Sequence, residues 1–251
     1  MEISSQLKDF STVARAQEVL QIPEPSMTIV VPTLKDKVEL PDFLYKNRVI
    51  LSRSKGRSRG RNDGALKCNS EFILFVDDDA DFTEETYRKY ILDVLIKNPD
   101  TVISYEASIL CTRVMAVSKN LFFKLGGFDE TFEIAEDMDF GYRVIKAGFK
   151  IKYIPRDLVI HREHRSPNAI WCKMVRYKYA VKFLLRYKRI LQWDNDIKGK
   201  KLVPFTLLNI LKLFIDAPKR GLLIPVRIII SILSFYYYLF FDKTRLIENV
   251  S

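Results

Sequence analysis

Three consecutive aspartates, Asp77, Asp78 and Asp79, follow the apolar run EFILFV at residues 71–76. Adjacent carboxylates repel one another unless a cation offsets their charge, and Mg²⁺ and Mn²⁺ prefer such oxygen ligands. If the segment is extended, alternate side chains share a face, so that Asp77 and Asp79 converge while Asp78 points away. The pattern predicts a divalent-cation site, although a solvated acidic turn would have the same spacing.

A second acidic group, Glu136, Asp137 and Asp139, opens a predicted helix. Acidic side chains are favoured at helix N-termini by the free N–H groups and by the helix dipole, so capping accounts for one or two of them. Two adjacent carboxylates in a first turn also offer a general base for proton transfer. The residues alone leave both interpretations open.

The chain has two histidines, His161 and His164, both within VIHREHRSP at residues 159–167. On a strand or loop, side chains three positions apart point to opposite faces, so the pair is a poor metal site by itself. Structural or solvent-facing histidines are the simpler interpretation. If His161 ends a strand at the edge that carries Asp79, however, the imidazole and the carboxylates hold one cation between them.

The composition indicates a globular protein with anionic partners. Of 251 residues, 48% are apolar and 29% are charged, and 41 basic against 31 acidic side chains give a net charge of +10. Such an excess favours nucleic acid, a phosphate-bearing substrate or an acidic membrane surface. Three cysteines without motif spacing predict a reducing compartment rather than a disulfide framework. The N-terminus has neither the basic start nor the apolar run of a signal peptide.

Strands and helices alternate along the first two thirds of the chain, a pattern typical of an α/β fold with a mixed or largely parallel sheet. Strands are predicted at 27–31, 48–52, 71–76, 101–105, 111–117, 149–154 and 158–160. Helices are predicted near 61–68, 83–99 and 135–148.

The composition changes after residue 166. A basic stripe at helical spacing, opposite an apolar stripe, predicts an amphipathic helix; its members are Lys178, Lys182, Arg186 and Arg189. Apolar segments follow at 202–215 and 222–241, and the second is long enough as a helix to span about 30 Å. We expect this region to contact an anionic membrane, with packing against its own domain as the alternative.

The order of motifs resembles that of the family 2 glycosyltransferases with the GT-A fold. The matching segments are TIVVPTL, GRSRGRNDGAL, EFILFVDDDADF, KLGGFDETFEIAEDMDFGYRVIKAGFKIKYIP and LVIH, within about 26–165. The resemblance implies a catalytic domain at 26–165 with a mixed, mostly parallel central sheet flanked by helices. From the residues outside this domain we expect a helical lead-in and linker at 1–25 and a helical membrane-associating region at 166–251.

The resemblance also implies a UDP- or GDP-linked sugar donor and a Mn²⁺ or Mg²⁺ cofactor. Asp77 and Asp79 match the family's metal-binding acids, and His161 matches the histidine that closes the metal site. Asp137 matches the catalytic base, with Glu136 beside it. Residues that match donor contacts are Pro32, Thr33, Arg61, Asn62, Asp77 and Asp78.

The implied reaction is transfer of a single sugar with inversion to a glycan or lipid-linked acceptor. A processive family member would carry a Q-x-x-R-W element, which the sequence lacks. We expect Arg61 or Arg143 to stabilise the departing diphosphate. The localisation implied is the cytoplasmic face of a membrane, with the C-terminal region peripheral or spanning once.

The resemblance is incomplete near the first strand. Only about twenty-five residues separate Pro32 from Arg57, too few for the helices and strand that usually carry the family's nucleotide-binding acid. The acids available to replace it are Asp36, Glu39 and Asp42.

Three other functions remain open. The segment SRSKGRSRGR and the net charge would suit a nucleic-acid-binding protein, although the acids at strand ends would repel a nucleic-acid backbone. A nucleotidyltransferase would normally carry a glycine-rich loop after the first strand, and VVPTLKDK has none. The shortened N-terminal region also fits an inactive glycosyltransferase homologue.

Overall fold

The computed structural model describes residues 26–132, 134–162, 182–183, 186–187, 189–194 and 199–204. The predictions made for 1–25, His164 and 222–241 lie outside the described residues. Within the described part of the chain, no helix is long and apolar enough to cross a membrane.

A six-stranded sheet forms the centre of the domain, in the order β2-β1-β3-β6-β5-β7. The first eight strands in chain order are β1 Met27–Pro32, β2 Arg48–Ser52, β3 Phe72–Val76, β4 Ala80–Asp81, β5 Val102–Tyr105, β6 Val114–Ser118, β7 Ile151–Ile154 and β8 Ile160–His161. Strand β1 runs parallel to β2 and β3, and β5 runs parallel to β7. Strand β6 is antiparallel to both of its neighbours. The predicted mixed, largely parallel sheet is confirmed.

The central strands are apolar on both faces because each face has its own core. Ile29 and Leu74 belong to one buried cluster, whereas Val30 and Ile73 belong to the other. Successive side chains of a strand point to opposite faces, so an uninterrupted apolar run such as FILFV is what a sheet covered on both sides requires. All five residues of β3 are buried. The strand thereby fixes where the acidic turn after it begins.

Helices flank the sheet. They are α1 Arg57–Leu66, α2 Glu84–Tyr87, α3 Asp93–Lys97, α4 Lys119–Lys124 and α5 Glu136–Lys146, with a π turn at Arg88–Leu92 and 3₁₀ turns at Asp42–Lys46 and Arg156–Leu158. Helix α1 begins earlier than the predicted 61–68. Helix α4 was not predicted from the sequence; its N-cap is Ser118, whose hydroxyl accepts a hydrogen bond from the Leu121 N–H at 3.2 Å.

The C-terminal region differs from the prediction where it is described. Strands β9 Arg189–Asp194 and β10 Gly199–Pro204 form an antiparallel pair. The amphipathic helix predicted to include Arg189 is therefore wrong at its end, and the apolar segment 202–215 begins in a strand rather than a helix. Helical periodicity does not reveal whether a neighbouring segment can pair as a strand. Here Gly199–Pro204 forms the backbone hydrogen bonds with Arg189–Asp194.

Candidate active site

The three aspartates lie in a turn at the carboxyl end of β3, closed by a 3.0 Å hydrogen bond from the Ala80 N–H to the Asp77 carbonyl. The segment is not extended, so the alternation expected for a strand does not apply. Each carboxylate has a different partner. Asp77 pairs with Arg61, Asp78 accepts from Thr33, and Asp79 pairs with His161.

Arg61 links the acidic turn to helix α5. Its guanidinium donates at 2.7 Å to Asp77 Oδ1 and at 2.8 Å to Glu136 Oε1. The side chain is buried, and its Nε has no hydrogen-bond partner among the described residues. Burial disfavours the charged form, but Asp77 and Glu136 outweigh it, and the pKa of Arg61 is raised. The Arg61 guanidinium thus holds Asp77 and Glu136, which are distant in sequence, close to each other.

Asp79 and His161 meet because two short strands pair. Ala80 of β4 lies opposite His161 of β8, and the Arg162 N–H donates to the Asp79 carbonyl at 2.8 Å. The side chains are 2.8 Å apart, from Asp79 Oδ2 to His161 Nε2. The predicted approach of this histidine to the acidic turn is what the structure shows.

The Asp79 and His161 pair fits a divalent cation that takes its other ligands from a substrate. The 2.8 Å separation is that of a hydrogen bond or ion pair between the imidazole and the carboxylate, and these two side chains are the ones that would hold a divalent cation. Within the described residues, no group of three His, Cys, Asp or Glu side chains is placed to hold a metal. Mg²⁺ commonly uses one or two carboxylates together with phosphate oxygens.

Asp137 lies in the first turn of α5, after Ala135 in a left-handed conformation (φ 68°). Its Oδ1 accepts a 2.8 Å hydrogen bond from the Met138 N–H. Burial, followed by the neighbouring Glu136 charge, raises the pKa of Asp137 to about 7, with Arg61 acting in the opposite direction. A carboxyl with this pKa accepts a proton efficiently near neutral pH.

Cys111 is a site residue that the sequence did not indicate. Burial, followed by the charge of Asp137, raises the pKa of its thiol to about 12, and Asp77 adds to the rise. The thiol therefore stays protonated at neutral pH. Arg61 joins Asp77 to Glu136, and the charge of Asp77 raises the pKa of both Asp137 and Asp79, so the acidic turn, Asp137 and the Asp79 and His161 pair lie close together. We call the region around these side chains the crevice.

The turn after β1 closes one side of this crevice. Thr33 donates from its hydroxyl to Asp78 Oδ2 at 2.6 Å, and Lys35 Nζ lies 3.6 Å from Asp78 Oδ1. Arg53, directly after β2, donates to the Lys35 carbonyl at 2.7 Å. Helix α1 passes close to Pro32, since a Cβ added to Gly60 would lie 3.4 Å from the Pro32 Cβ. These contacts hold the short segment between Pro32 and Arg57 in place, although it lacks the helices that usually carry the family's nucleotide-binding acid.

Asn62 and Arg143, two residues expected to act on the donor, are engaged with the protein itself. The Asn62 amide exchanges two hydrogen bonds with the Phe128 backbone, at 2.8 and 3.0 Å. Arg143 donates to Asp139 Oδ2 at 2.7 Å and to the Gly127 carbonyl at 2.7 Å. These contacts within the protein explain the positions of both side chains without a bound ligand.

Arg113 is a further cation at the crevice that the sequence did not single out. Its carbonyl accepts from the Asp77 N–H at 2.9 Å, which places it across from the acidic turn. Its guanidinium stacks 4.7 Å from the centre of the Tyr105 ring. Among the described residues no carboxylate forms an ion pair with it. Burial raises the pKa of Asp79, whereas His161 and, more weakly, Arg113 lower it.

The chain is similar to several glycosyltransferases. No family model matches the chain. It is 26% identical over 152 residues to the pre-mycofactocin glycosyltransferase of Mycobacterium tuberculosis, a match that spans 47% of this chain but only 32% of that protein. It is 23% identical over 189 residues to the O-antigen chain rhamnosyltransferase WbaN of Salmonella anatum, with 59% and 60% of the two chains covered.

The fold is also that of a solved glycosyltransferase. The mannosyltransferase PcManGT from Pyrobaculum calidifontis, in complex with GDP-Man and Mn²⁺, superposes with a TM-score of 0.51 at 13% identity, covering 92% of this chain and 82% of that one. The predicted resemblance to glycosyltransferases of the GT-A fold is confirmed.

Proposed function

We propose that the chain transfers a sugar from a nucleoside-diphosphate donor to an acceptor hydroxyl, with inversion at the anomeric carbon. The observation that carries the proposal is the bridge made by Arg61. It brings the Asp77 end of β3 against Glu136 and therefore beside Asp137. A donor bound at the acidic turn would have a general base within the same crevice.

Asp137 is the base in this proposal. An acceptor hydroxyl is a weak nucleophile at neutral pH, so a carboxylate must take its proton as attack begins. A pKa of about 7 leaves a large fraction of Asp137 ionised at physiological pH while keeping it basic enough to receive that proton. Glu136 stays bound to Arg61 and raises the basicity of its neighbour.

Asp79 and His161 would hold Mn²⁺ or Mg²⁺, with the remaining coordination positions left to donor oxygens. When bound, the cation would neutralise charge on the donor's diphosphate. The solved mannosyltransferase with GDP-Man and Mn²⁺ supports this cofactor class by its fold. Asp77 is committed to Arg61, so in this arrangement it orients the acidic turn rather than adding a third ligand.

Arg113 replaces Arg61 and Arg143 as the cation that stabilises the leaving group. Negative charge develops on the departing diphosphate, and a preorganised donor close to it lowers the barrier. Arg61 and Arg143 are bound to carboxylates, whereas Arg113 pairs with no described carboxylate and lies across from Asp77. Thr33 and Pro32 would line the nucleotide side of the crevice.

The acceptor is proposed to be a glycan or lipid-linked molecule that receives a single sugar at the cytoplasmic face of a membrane. The net charge of +10 and the apolar run at 222–241 support this location. Removing residues 205–251 should release the protein from the membrane fraction. Unchanged fractionation would contradict the proposed location and leave the proposed chemistry standing.

A donor screen tests the proposed reaction. UDP- and GDP-linked sugars are incubated with the protein and Mn²⁺, and release of UDP or GDP is measured with water as the acceptor. One donor class should be hydrolysed in the wild type, slowed strongly by Asp137→Asn, and stopped by a chelator. No release from any donor, together with no thermal stabilisation by UDP or GDP, would support an inactive homologue.

A further inference from the structure

Two residues of the predicted basic stripe contact the catalytic domain itself. Lys182 Nζ donates to the Thr131 carbonyl at 3.1 Å and also to the Thr131 hydroxyl, and it lies 4.1 Å from the centre of the Phe132 ring. Arg186 forms an ion pair with Asp129. The Lys182 side chain is buried. For these two residues, packing against the domain is the interpretation that holds.

The neighbouring apolar side chains bury the same surface. Phe183 is fully buried and packs on Phe132 with 5.2 Å between ring centres. Tyr187 packs on Tyr142 of α5 at 4.5 Å. Both belong to a small core that also includes Met138, directly after the proposed base. We call Lys182, Phe183, Arg186 and Tyr187 the C-terminal clamp.

Asp139 is the point where the clamp reaches helix α5. Its carboxylate is fully buried and accepts from Arg143 on its own helix. It also accepts a hydrogen bond from the Tyr187 hydroxyl, and Arg186 Nη1 lies 3.4 Å away. A buried carboxylate is stable only when donors satisfy it. Of the three described side chains that donate to Asp139, Arg186 and Tyr187 belong to the clamp, so the position of Asp139 depends on the clamp.

The segment that the clamp contacts is the one that leads into the proposed base. Ala135 adopts a left-handed conformation that costs a non-glycine residue about 1 kcal/mol or more and persists only where its surroundings impose it. On one side, Ser58 donates to the Phe132 carbonyl at 2.8 Å and Arg61 holds Glu136. The clamp contacts the other side, at residues 129–132 and 139.

We propose that the C-terminal clamp positions Asp137 for catalysis by fixing the first turn of α5. The inference rests on the proposed function, because it assigns Asp137 as the base. The contacts named above join the clamp to residues 129–132, 139 and 142 rather than to the acidic turn. The four clamp residues are therefore positioning residues, and their loss should change turnover more than donor binding.

Tyr187→Phe is the most conservative test, because it removes only the hydroxyl that donates to Asp139. Small displacements of a catalytic group reduce turnover strongly. We expect kcat to fall about tenfold, with the KM for the donor and the affinity for UDP or GDP in the presence of Mn²⁺ unchanged. Lys182→Met should act in the same direction, and Lys182→Arg, which keeps a donor, should restore most of the turnover. Tyr45→Phe is the matched control, since its hydroxyl makes a 3.3 Å bond to Val38 on an exposed turn.

Amide hydrogen exchange gives a readout that does not depend on activity. In Tyr187→Phe, residues 132–140 should exchange faster than in the wild type, while β1 and β3 remain protected. Faster exchange in a protein whose wild type turns over no donor would preserve the structural part of the inference and count against the proposed function. An active wild type with an unchanged kcat in both Tyr187→Phe and Lys182→Met would overturn the inference, whatever the exchange shows.

Discussion

Replacing Asp137 with asparagine should abolish sugar transfer and, at pH 8, stabilise the folded protein. Folding raises the pKa of this carboxyl from 3.8 to about 7, through burial first and Glu136 second. At about 1.36 kcal/mol per pKa unit, the charged form is destabilised by about 4 kcal/mol. Because the side chain keeps partial contact with water, we expect about half of this, about 2 kcal/mol, to be recovered by the variant.

The sign of the effect follows from proton binding. Between pH 4 and 7 the folded wild type binds more protons at Asp137 than the unfolded chain does, so its stability falls as the pH rises. Asparagine carries no charge at any pH in this range and keeps an oxygen that accepts from the Met138 N–H. The gain should therefore be small at pH 4, close to the unfolded pKa of 3.8, and complete at pH 8.

Thermal unfolding measured by circular dichroism at the two pH values tests this prediction. For a chain of this size, about 2 kcal/mol corresponds to a rise in Tm of about 4–8 °C. Asp100→Asn, on an exposed turn, is the control and should change neither Tm nor transfer. An Asp137→Asn protein that is less stable than the wild type at pH 8, or that transfers sugar at a near wild-type rate, would refute the assignment.

Four further outcomes follow from the same contacts. Glu136→Gln should shift the acidic limb of kcat/KM, expected near pH 7, to lower pH, because Glu136 raises the pKa of Asp137. Arg61→Met should lower the free energy of unfolding in urea by about 3–5 kcal/mol, since both carboxylate partners lose their buried counter-charge. His161→Ala should weaken Mn²⁺ binding, measured by calorimetry without nucleotide, at least about tenfold. Arg113→Gln should weaken the binding of UDP or GDP about tenfold and leave the binding of the corresponding nucleoside unchanged.

A specific result would contradict each of these four predictions. If the acidic limb of kcat/KM in Glu136→Gln stays at the wild-type pH, Glu136 does not set the pKa of the base. An Arg61→Met protein with wild-type stability would show that the buried ion pairs of Arg61 are dispensable. Equal Mn²⁺ affinity in His161→Ala would place the cation elsewhere. Equal loss of nucleoside and nucleoside-diphosphate binding in Arg113→Gln would indicate a general disturbance instead of a phosphate contact.

The strands of the sheet were predictable because burial on both faces leaves a direct mark on the sequence. β3 is an uninterrupted apolar run that ends in charged residues, and its core position and the site after it both follow from that pattern. The short helix α4 was missed because its six residues are too few to show a helical period. The strand at Arg189–Asp194 was missed because helical periodicity does not reveal pairing with a second segment, here Gly199–Pro204.

The site was predictable only as a set of residue types at strand and helix ends. The sequence indicated that Asp79 and His161 approach each other, and they do. It did not indicate that Asp77 would be bound to Arg61, because an ion pair across residues 61 and 77 leaves no local pattern. Cys111 and Arg113 were missed for a related reason, since they reach the crevice only through the antiparallel pairing of β6 with β3.

The charges of the crevice bear on the order in which ligands bind. Among the described residues, five carboxylates lie near three cationic side chains: Asp77, Asp78, Asp79, Glu136 and Asp137 against Lys35, Arg61 and Arg113. With all five ionised the excess is two negative charges, so a nucleoside diphosphate entering alone would be repelled. One divalent cation restores neutrality, which removes the repulsion, and the cation would itself attract the diphosphate oxygens. UDP or GDP should therefore bind weakly without Mn²⁺ and tightly with it, and binding that is indifferent to Mn²⁺ would mean that the diphosphate lies away from the acidic turn.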